Sequence, residues 1–263
     1  MLHSSVTLSR STYALTWLAE KIGDQHEALF VLPDTAEPDR LIASTRRAGD
    51  ELGRAGLFDA RRGVHPDLVH TFRALARPDI DLYGTIAHQH HPEPMSIVAA
   101  AESGSAVLAV LDATTLTLHP IRPDSVADAV LGLLPPTQPA HGQSLSVPAS
   151  AVQGAAGRHA SEDEEFSVFA GQGRTDPSVA RLRQLVAQPR SSAAQIHVAV
   201  RDQLGRRRRS EFPVHVIDVD SGRWFLHRRR NTAGDVWITA APATTAAVAK
   251  TLADVCRVLT AAR

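Results

Sequence analysis

The sequence predicts an α+β fold: a central antiparallel sheet with packed helices, arranged as a quasi-two-fold repeat of a strand-strand-strand-helix unit. Three observations predict it. The first is the pattern that recurs. One copy runs Asp81–His88, Met95–Glu102 and Val107–His119 into a helix from Pro123 to Leu134. The other runs Gln195–Arg201, Pro213–Asp220 and Arg223–His227 with Asp235–Ala240, into a helix from Thr244 to Ala261. The second is alternation within strands: Ile196, Val198 and Val200 share one face, and His197, Ala199 and Arg201 share the other. The third is the shortness of the links. Asp220-Ser221-Gly222 reads as a tight turn joining Val214–Val219 to Trp224–Leu226, and neighbours joined so closely pair antiparallel.

In chain order, Val6-Thr7-Leu8 is a short strand. Ser9 and Ser11 offer caps for a helix through Tyr13, Leu15, Trp17, Leu18 and Ile22, ended by Gly23. His26–Leu32 reads as a second strand, stopped by Pro33. A helix from Pro38 to Arg54 follows, with Leu41, Ile42, Thr45, Ala48 and Leu52 on one face, broken by Gly56. Pro66 suits the first turn of another helix, carrying Leu68, Val69, Phe72 and Leu75, which Pro78 closes. Val107–Leu111 is apolar on both faces, as a central strand is.

These elements divide one domain, 1–263, into an N-terminal strand-and-helix prelude (1–80), a first sheet-helix unit (81–135), a connection (136–176) and a second unit (177–263). The connection is rich in Pro, Ala, Ser, Gly and Gln, carries the acidic run Glu162–Glu165, and is expected to be flexible. Leu145-Ser146-Val147 within it can form an edge strand, and helix resumes at Pro177–Val186.

The 28 basic residues balance 28 acidic ones, so no global field draws the chain to nucleic acid or an anionic membrane. Nearly all the cations are Arg, and they cluster. Cys256, the one cysteine, sits among Val255, Val258 and Leu259 as a small hydrophobe and has no internal partner. Met1–Ser5 lacks the charge and apolar run of a signal peptide, and no stretch reaches the length of a membrane span, so cytoplasm is the expected compartment.

No constellation demands chemistry, and no catalytic residue, metal or cofactor is assigned. His88, His90 and His91 can be imagined as zinc ligands of a hydrolase, but neighbours in a strand or loop point apart and no Cys or helical His pair accompanies them. Asp218 and Asp220 flank a turn, where acids are common. Gly171–Thr175 lacks the ending of a phosphate loop. Trp17, Trp224 and Trp237 read as core or sheet-face residues rather than a ligand cage. Arg206-Arg207-Arg208-Arg209 and His227-Arg228-Arg229-Arg230 fall at strand ends that folding can bring together. They suit contacts to a protein partner; a nucleic-acid-binding regulator is the alternative, disfavoured by neutral charge and few aromatics.

The ordered series Leu75-Ala76-Arg77-Pro78-Asp79, Ala106–Leu111, Leu116–Pro123, Leu133-Leu134-Pro135-Pro136, Ser146-Val147-Pro148-Ala149, Val198–Asp202 with Gly205 and its four arginines, and Trp237–Pro242 resembles the EspG family of chaperones in actinobacterial type VII (ESX) secretion. The resemblance runs over almost the whole chain. It implies a non-enzymatic cytoplasmic chaperone that binds a PE–PPE heterodimer or a PPE-like substrate, keeping the helical tip of the PPE protein from aggregating before export. It also implies docking of that tip against the sheet and C-terminal helices, helped by the loop after the second main strand, here His88–Pro94. The partner surface expected on these grounds comprises His88, Gln89, His90, His91 and Glu93, the outward residues His197, Arg201, His215, Arg223 and Phe225, and Arg206 to Arg209. An area near 1,600 Å² in total is the standard for such a contact. Neither nucleic acid nor membrane insertion is expected, and the chain is expected to be a monomer or weak homo-oligomer.

Overall fold

The computed structural model describes residues 1–33, 37–89, 93–153 and 176–261. A single sheet runs through the molecule. The first half contributes β1 (Val6–Ser9), β4 (Ile80–His88), β5 (Met95–Glu102), β6 (Ser105–Leu111) and β7 (Thr115–Ile121). The second contributes β8 (Leu145–Pro148), β9 (Ser192–Arg201), β11 (Val214–Val219), β12 (Gly222–Arg230) and β13 (Val236–Pro242). Their order is β1-β7-β6-β5-β4-β9-β11-β12-β13-β8, all antiparallel, and mirrored about the β4–β9 pair. A short β10 (Arg207–Arg209) pairs with β9 in line with β11. Val107–His119 is thus two strands, because Asp112 accepts backbone N–H bonds from Thr114 and Thr115 and reverses the chain. Each half carries four consecutive strands plus an edge strand from upstream. The β5–β6 and β11–β12 turns repeat a Ser-Gly pair, Ser103-Gly104 and Ser221-Gly222.

Helices cover both faces. On one face α4 (Val126–Leu131) and α7 (Thr245–Ala261) pack on Leu82, Ile86, Ile97, Ile196, Val198 and Val216. On the other, α1 (Arg10–Ala19) and α3 (Pro66–Ala76) cover the first half, where Tyr13, Trp17 and Phe72 meet ring to ring at 5.2–5.5 Å. There α5 (Ala149–Gln153) and α6 (Pro177–Val186) cover Ile217, Trp224, Leu226 and Ile238 of the second half. We call these the α4/α7 face and the α1/α6 face. The stretch 136–176, expected as a flexible connection, supplies β8 and α5, both packed into the fold; the acidic run Glu162–Glu165 lies outside the described residues.

Two local expectations are corrected. His26–Leu32 is not a strand but a 3₁₀ turn at Glu27–Leu29, begun by the His26 ring, whose Nδ1 accepts from Ala28 N–H. Helix α1 ends at Ala19, before Ile22, because Lys21 adopts a left-handed conformation. A small hairpin, β2 (Phe58–Asp59) with β3 (Gly63–Val64), follows α2 (Pro38–Arg54) and had no clear signal in the sequence.

The β4–β9 seam is tight at Gly84 (φ +155°). A Cβ there would lie 1.8 Å from the Gln195 carbonyl oxygen, so only glycine fits. Gly84→Ala should lower stability by about 3 kcal/mol or more in urea unfolding. Gly53→Ala, in α2 with nothing within 4 Å, should raise it by about 0.5 kcal/mol.

Candidate functional site

The strand registers sort the expected partner residues onto opposite faces. His197 and Arg201 of β9 and His215 of β11 look toward the α1/α6 face, whereas Arg223 and Phe225 of β12 look toward the α4/α7 face, since directly paired residues share a face. The two loops are separated as well. His88 pairs with Ser192 at one end of the seam and Arg207 pairs with Arg201 at the other, about 30 Å apart along a ten-residue strand. One patch holding all of them does not exist.

Several of these residues are engaged internally. Arg223 is 7% exposed and not outward: its Nε and Nη2 donate to Asp218 Oδ1 and Oδ2 at 2.6 and 2.8 Å, and Nη2 also donates to the Pro135 carbonyl at 2.6 Å. Thr137 adds a hydroxyl bond to Asp218. The pair pins 135–137 across the sheet, and a lone member left behind would cost about 3–5 kcal/mol. Arg207 reaches from β10 across β9. It donates to buried Asp81 at 2.6 Å and to Glu27 at 2.9 Å, with its guanidinium 4.8 Å from the Tyr83 ring centre. His26 Nε2 lies 3.0 Å from the same Asp81 oxygen; with Nδ1 accepting from Ala28, the tautomer that donates from Nε2 fits. Asp81 and Glu27 together hold the guanidinium pKa above its ordinary value despite the opposing effect of burial. Arg207 is therefore a clamp between the halves. Arg201 serves the same end, donating to the carbonyls of Pro78 and Gly205.

The two arginine runs do come together: Glu211, just past the first, binds Arg230, and Phe212 lies about 6 Å from both Arg228 and Arg230. Arg208 is 3.8 Å from Asp202, while Arg206, Arg209 and Arg229 are exposed. His197 stacks on Tyr83 at 5.3 Å and sits 3.3 Å from Gln195. His88 ends β4 half-buried, and the adjoining Gln89 N–H donates to the Ser191 carbonyl. Glu93 is exposed; His90 and His91 lie outside the described residues. Asp220 is exposed and far from forming a carboxylate pair with Asp218, which Arg223 occupies.

What remains open is the outer half of the α4/α7 face. There α7 lies over β9 and against α4. Beyond it β12 and β13 present Phe225, His227, Trp237 and Thr239, each half-exposed, with Arg229 at the rim. Helix α7 outruns α4 by 11 residues (17 against 6) and carries Val258 at 67% exposure, with Val255 and Leu259 half-exposed. The equivalent surface of the first half carries no Trp or Phe: it presents Val110 and Ile121 half-exposed, with Thr7 bonded to Thr117 at 3.1 Å and Ser5 to His119 at 2.8 Å, a hydroxyl pairing that Ser146 and Thr239 repeat at 3.3 Å in the second half. The sequence reading did not place Trp237, taken as a core or sheet-face residue, or Val258, taken as a neighbour of Cys256, on the partner surface, and His227 entered only with the arginines that follow it. For Trp237 and His227 the signal was the alternation of β12 and β13 once both strands were placed on one face.

Among the described residues, no group of three or more His, Cys, Asp or Glu is placed to hold a metal ion, and no helix is long and apolar enough to cross a membrane. Fold and surfaces together define a class: an internally duplicated α+β protein with one uncovered half-face of sheet beside a long C-terminal helix. The chain belongs to the EspG family, whose model matches residues 9–254. It is similar in structure to the Mycobacterium tuberculosis type VII secretion system chaperone EspG5, solved in complex with a PE25–PPE41 dimer. That match has a TM-score of 0.71 at 16% identity and covers 99% of this chain and 98% of the other. No curated protein sequence matches.

His215 records how the polar part of the α1/α6 face responds to pH. Burial, then Arg228, His197 and Arg190, push its pKa from 6.5 down to about 3. The unfolded chain takes up this proton first, so the stability tied to neutral His215 is whole above pH 6.5 and is lost as pH falls toward 3. The loss is about 1.4 kcal/mol per pH unit within that window. Urea unfolding at a series of pH values should show a shallower acid slope for His215→Gln than for the parent.

Proposed function

We propose that this chain is a cytoplasmic, non-enzymatic chaperone of type VII secretion that binds a PE–PPE heterodimer, or a PPE-like substrate, before export. Family membership supports the class of activity, and the complex formed by the structurally similar EspG5 supports the class of client. The single observation that carries the reading to a surface is the contrast between the halves. At equivalent places in the duplicated sheet both halves bond their edge hydroxyls, Thr7 to Thr117 and Ser146 to Thr239, but only the second adds the half-exposed rings of Phe225 and Trp237 and the exposed end of α7.

The physics suits a client with an apolar helical tip. Such a tip aggregates when exposed. A sheet face offering two aromatic rings covers it, and the rim charge Arg229 orients it without making release prohibitive. His88 and Gln89 stand at the end of the seam where the 135–137 strap and the start of α7 also lie, and they can edge the same surface. Arg206 and Arg209 are secondary contacts at most, being at the seam's far end, and Arg207 and Arg223 are structural.

Co-purification with a cognate PE–PPE pair tests this. Trp237→Ala and Val258→Asp, both at residues with exposed surface, should each weaken capture by tenfold or more, the range of a central anchor, while leaving thermal unfolding nearly unchanged. Undiminished capture by both would move the client off this face.

A further inference from the structure

The geometry points to a second interaction surface at the far end of the β4–β9 seam: the tip of the β9–β10 hairpin, with the arginines around it, adsorbs to an anionic lipid surface. The chain is neutral as a whole, but residues 201–211 hold five arginines against two carboxylates, Asp202 and Glu211. The hairpin turns through Asp202–Arg206, and backbone bonds fix its shape. Asp202 Oδ1 accepts from the N–H groups of Leu204 and Arg206, and the Asp202 N–H donates to the Arg206 carbonyl. Gly205 closes the turn in the left-handed region at φ +76°. Held this way, Leu204 is 75% exposed.

The cations beside it come from both halves. Arg206 is exposed and lies two residues past Leu204. Arg77, at the end of α3 in the first half, is also exposed and is brought up against the turn: a Cβ on Gly205 would lie 2.8 Å from its Nη2. Neither makes an ion pair among the described residues. The nearby acids are engaged elsewhere. Asp79 accepts from the Ser103 N–H, Asp202 caps the turn with Arg208 3.8 Å away, and Glu211 holds Arg230. Arg201 and Arg207 anchor the base of the hairpin to Pro78 and Asp81, so the tip stands on a rigid stem.

Shape and chemistry together name the occupant. A convex turn offers far less than the roughly 800 Å² per side that a specific protein contact buries. Single-stranded nucleic acid needs exposed rings to stack on, and the rings against the arginine runs, Tyr83 and Phe212, are buried and half-buried. Leucine gives a phosphate or a base edge nothing to bond. It does gain by leaving water for the boundary between lipid headgroups and acyl chains. There the guanidinium groups beside it meet headgroup phosphates in the forked geometry that suits arginine. The contact is adsorption at the headgroup layer, not a span. Trp237 lies on β13, three strands out from β9, so the lipid contact does not depend on the chaperone reading.

Flotation of the full chain with vesicles tests this, using phosphatidylcholine alone or with an equal part of phosphatidylglycerol. At low salt the anionic vesicles should bind about 25-fold more tightly, about fivefold for each of two arginines, and about 0.5 M salt should remove most of that gain. On anionic vesicles Arg206→Gln should weaken binding about fivefold, Arg77→Gln/Arg206→Gln about 25-fold, and Leu204→Ser about tenfold. Leu204→Ser should leave the melting curve and client capture unchanged. Should the double variant not fold, Arg206→Gln and Leu204→Ser decide. Equal binding to both vesicles, binding to neither, or adsorption indifferent to Leu204→Ser would overturn the proposal. So would retardation of a DNA duplex without vesicle binding, which would assign the arginines to nucleic acid. Vesicle binding by a chain that captures no client would overturn the chaperone reading alone.

Discussion

The antiparallel pairing of β4 with β9 is the constraint on which the rest of the molecule depends. It runs from Ile80 opposite Val200 to His88 opposite Ser192 and makes one sheet of two halves. Gly84 allows the backbones to approach, and Arg207 ties β10 of the second half to Asp81 and Glu27 of the first. Each half alone would expose a long strand edge, which is an invitation to misassembly. Joined, the edges disappear, α4 and α7 share one face over the seam, and the outer strands are carried outward as wings. The uncovered wing beside α7 is a consequence of that joining.

Duplication sets the frame, and departures from it carry the function proposed. Strands β6 and β12, and β7 and β13, occupy equivalent positions and both edges bond a hydroxyl pair, yet β6 and β7 present Val110 and Ile121 where β12 and β13 present Phe225, His227 and Trp237. Helix α4 stops after 6 residues where α7 continues for 17. A buried ion pair, Asp218 with Arg223, holds the strap from α4 against the second wing. Because its charges are fully matched and further bonded by Thr137 and Pro135, it orders that segment rather than offering a site.

Much of the fold was legible in the sequence because period and punctuation agree there. Pro38, Pro66 and Pro177 open the helices they were expected to open, Met95–Glu102 is a strand with the bounds read, and Ile196 and Val198 share the buried face opposite His197 and Arg201 as read. Less was legible where tertiary contacts overrule local pattern. His26–Leu32 looks like a strand but is bent by a histidine cap that also lies against Asp81. Face assignment was the larger difficulty for the site. Within each strand the alternation was plain, but which alternate set faces α7 depends on pairing register, so His197, His215 and Phe225 were grouped although β9, β11 and β12 send them to opposite faces. Arginine runs read as solvated or partner-facing because nothing in the local sequence announces that Asp81, 126 positions earlier, waits for Arg207.

The central claim is that a client rests on the second wing, between the outer sheet face and the end of α7. Hydroxyl-radical footprinting of the free chain and of its complex with a PE–PPE dimer tests it side chain by side chain. The account predicts protection of Phe225, Trp237, Val258 and Leu259 on binding, with Leu204 and Arg209 at the far end of the seam unchanged. Unaltered reactivity at Trp237 and Val258, with protection at Leu204 and Arg209 instead, would contradict it.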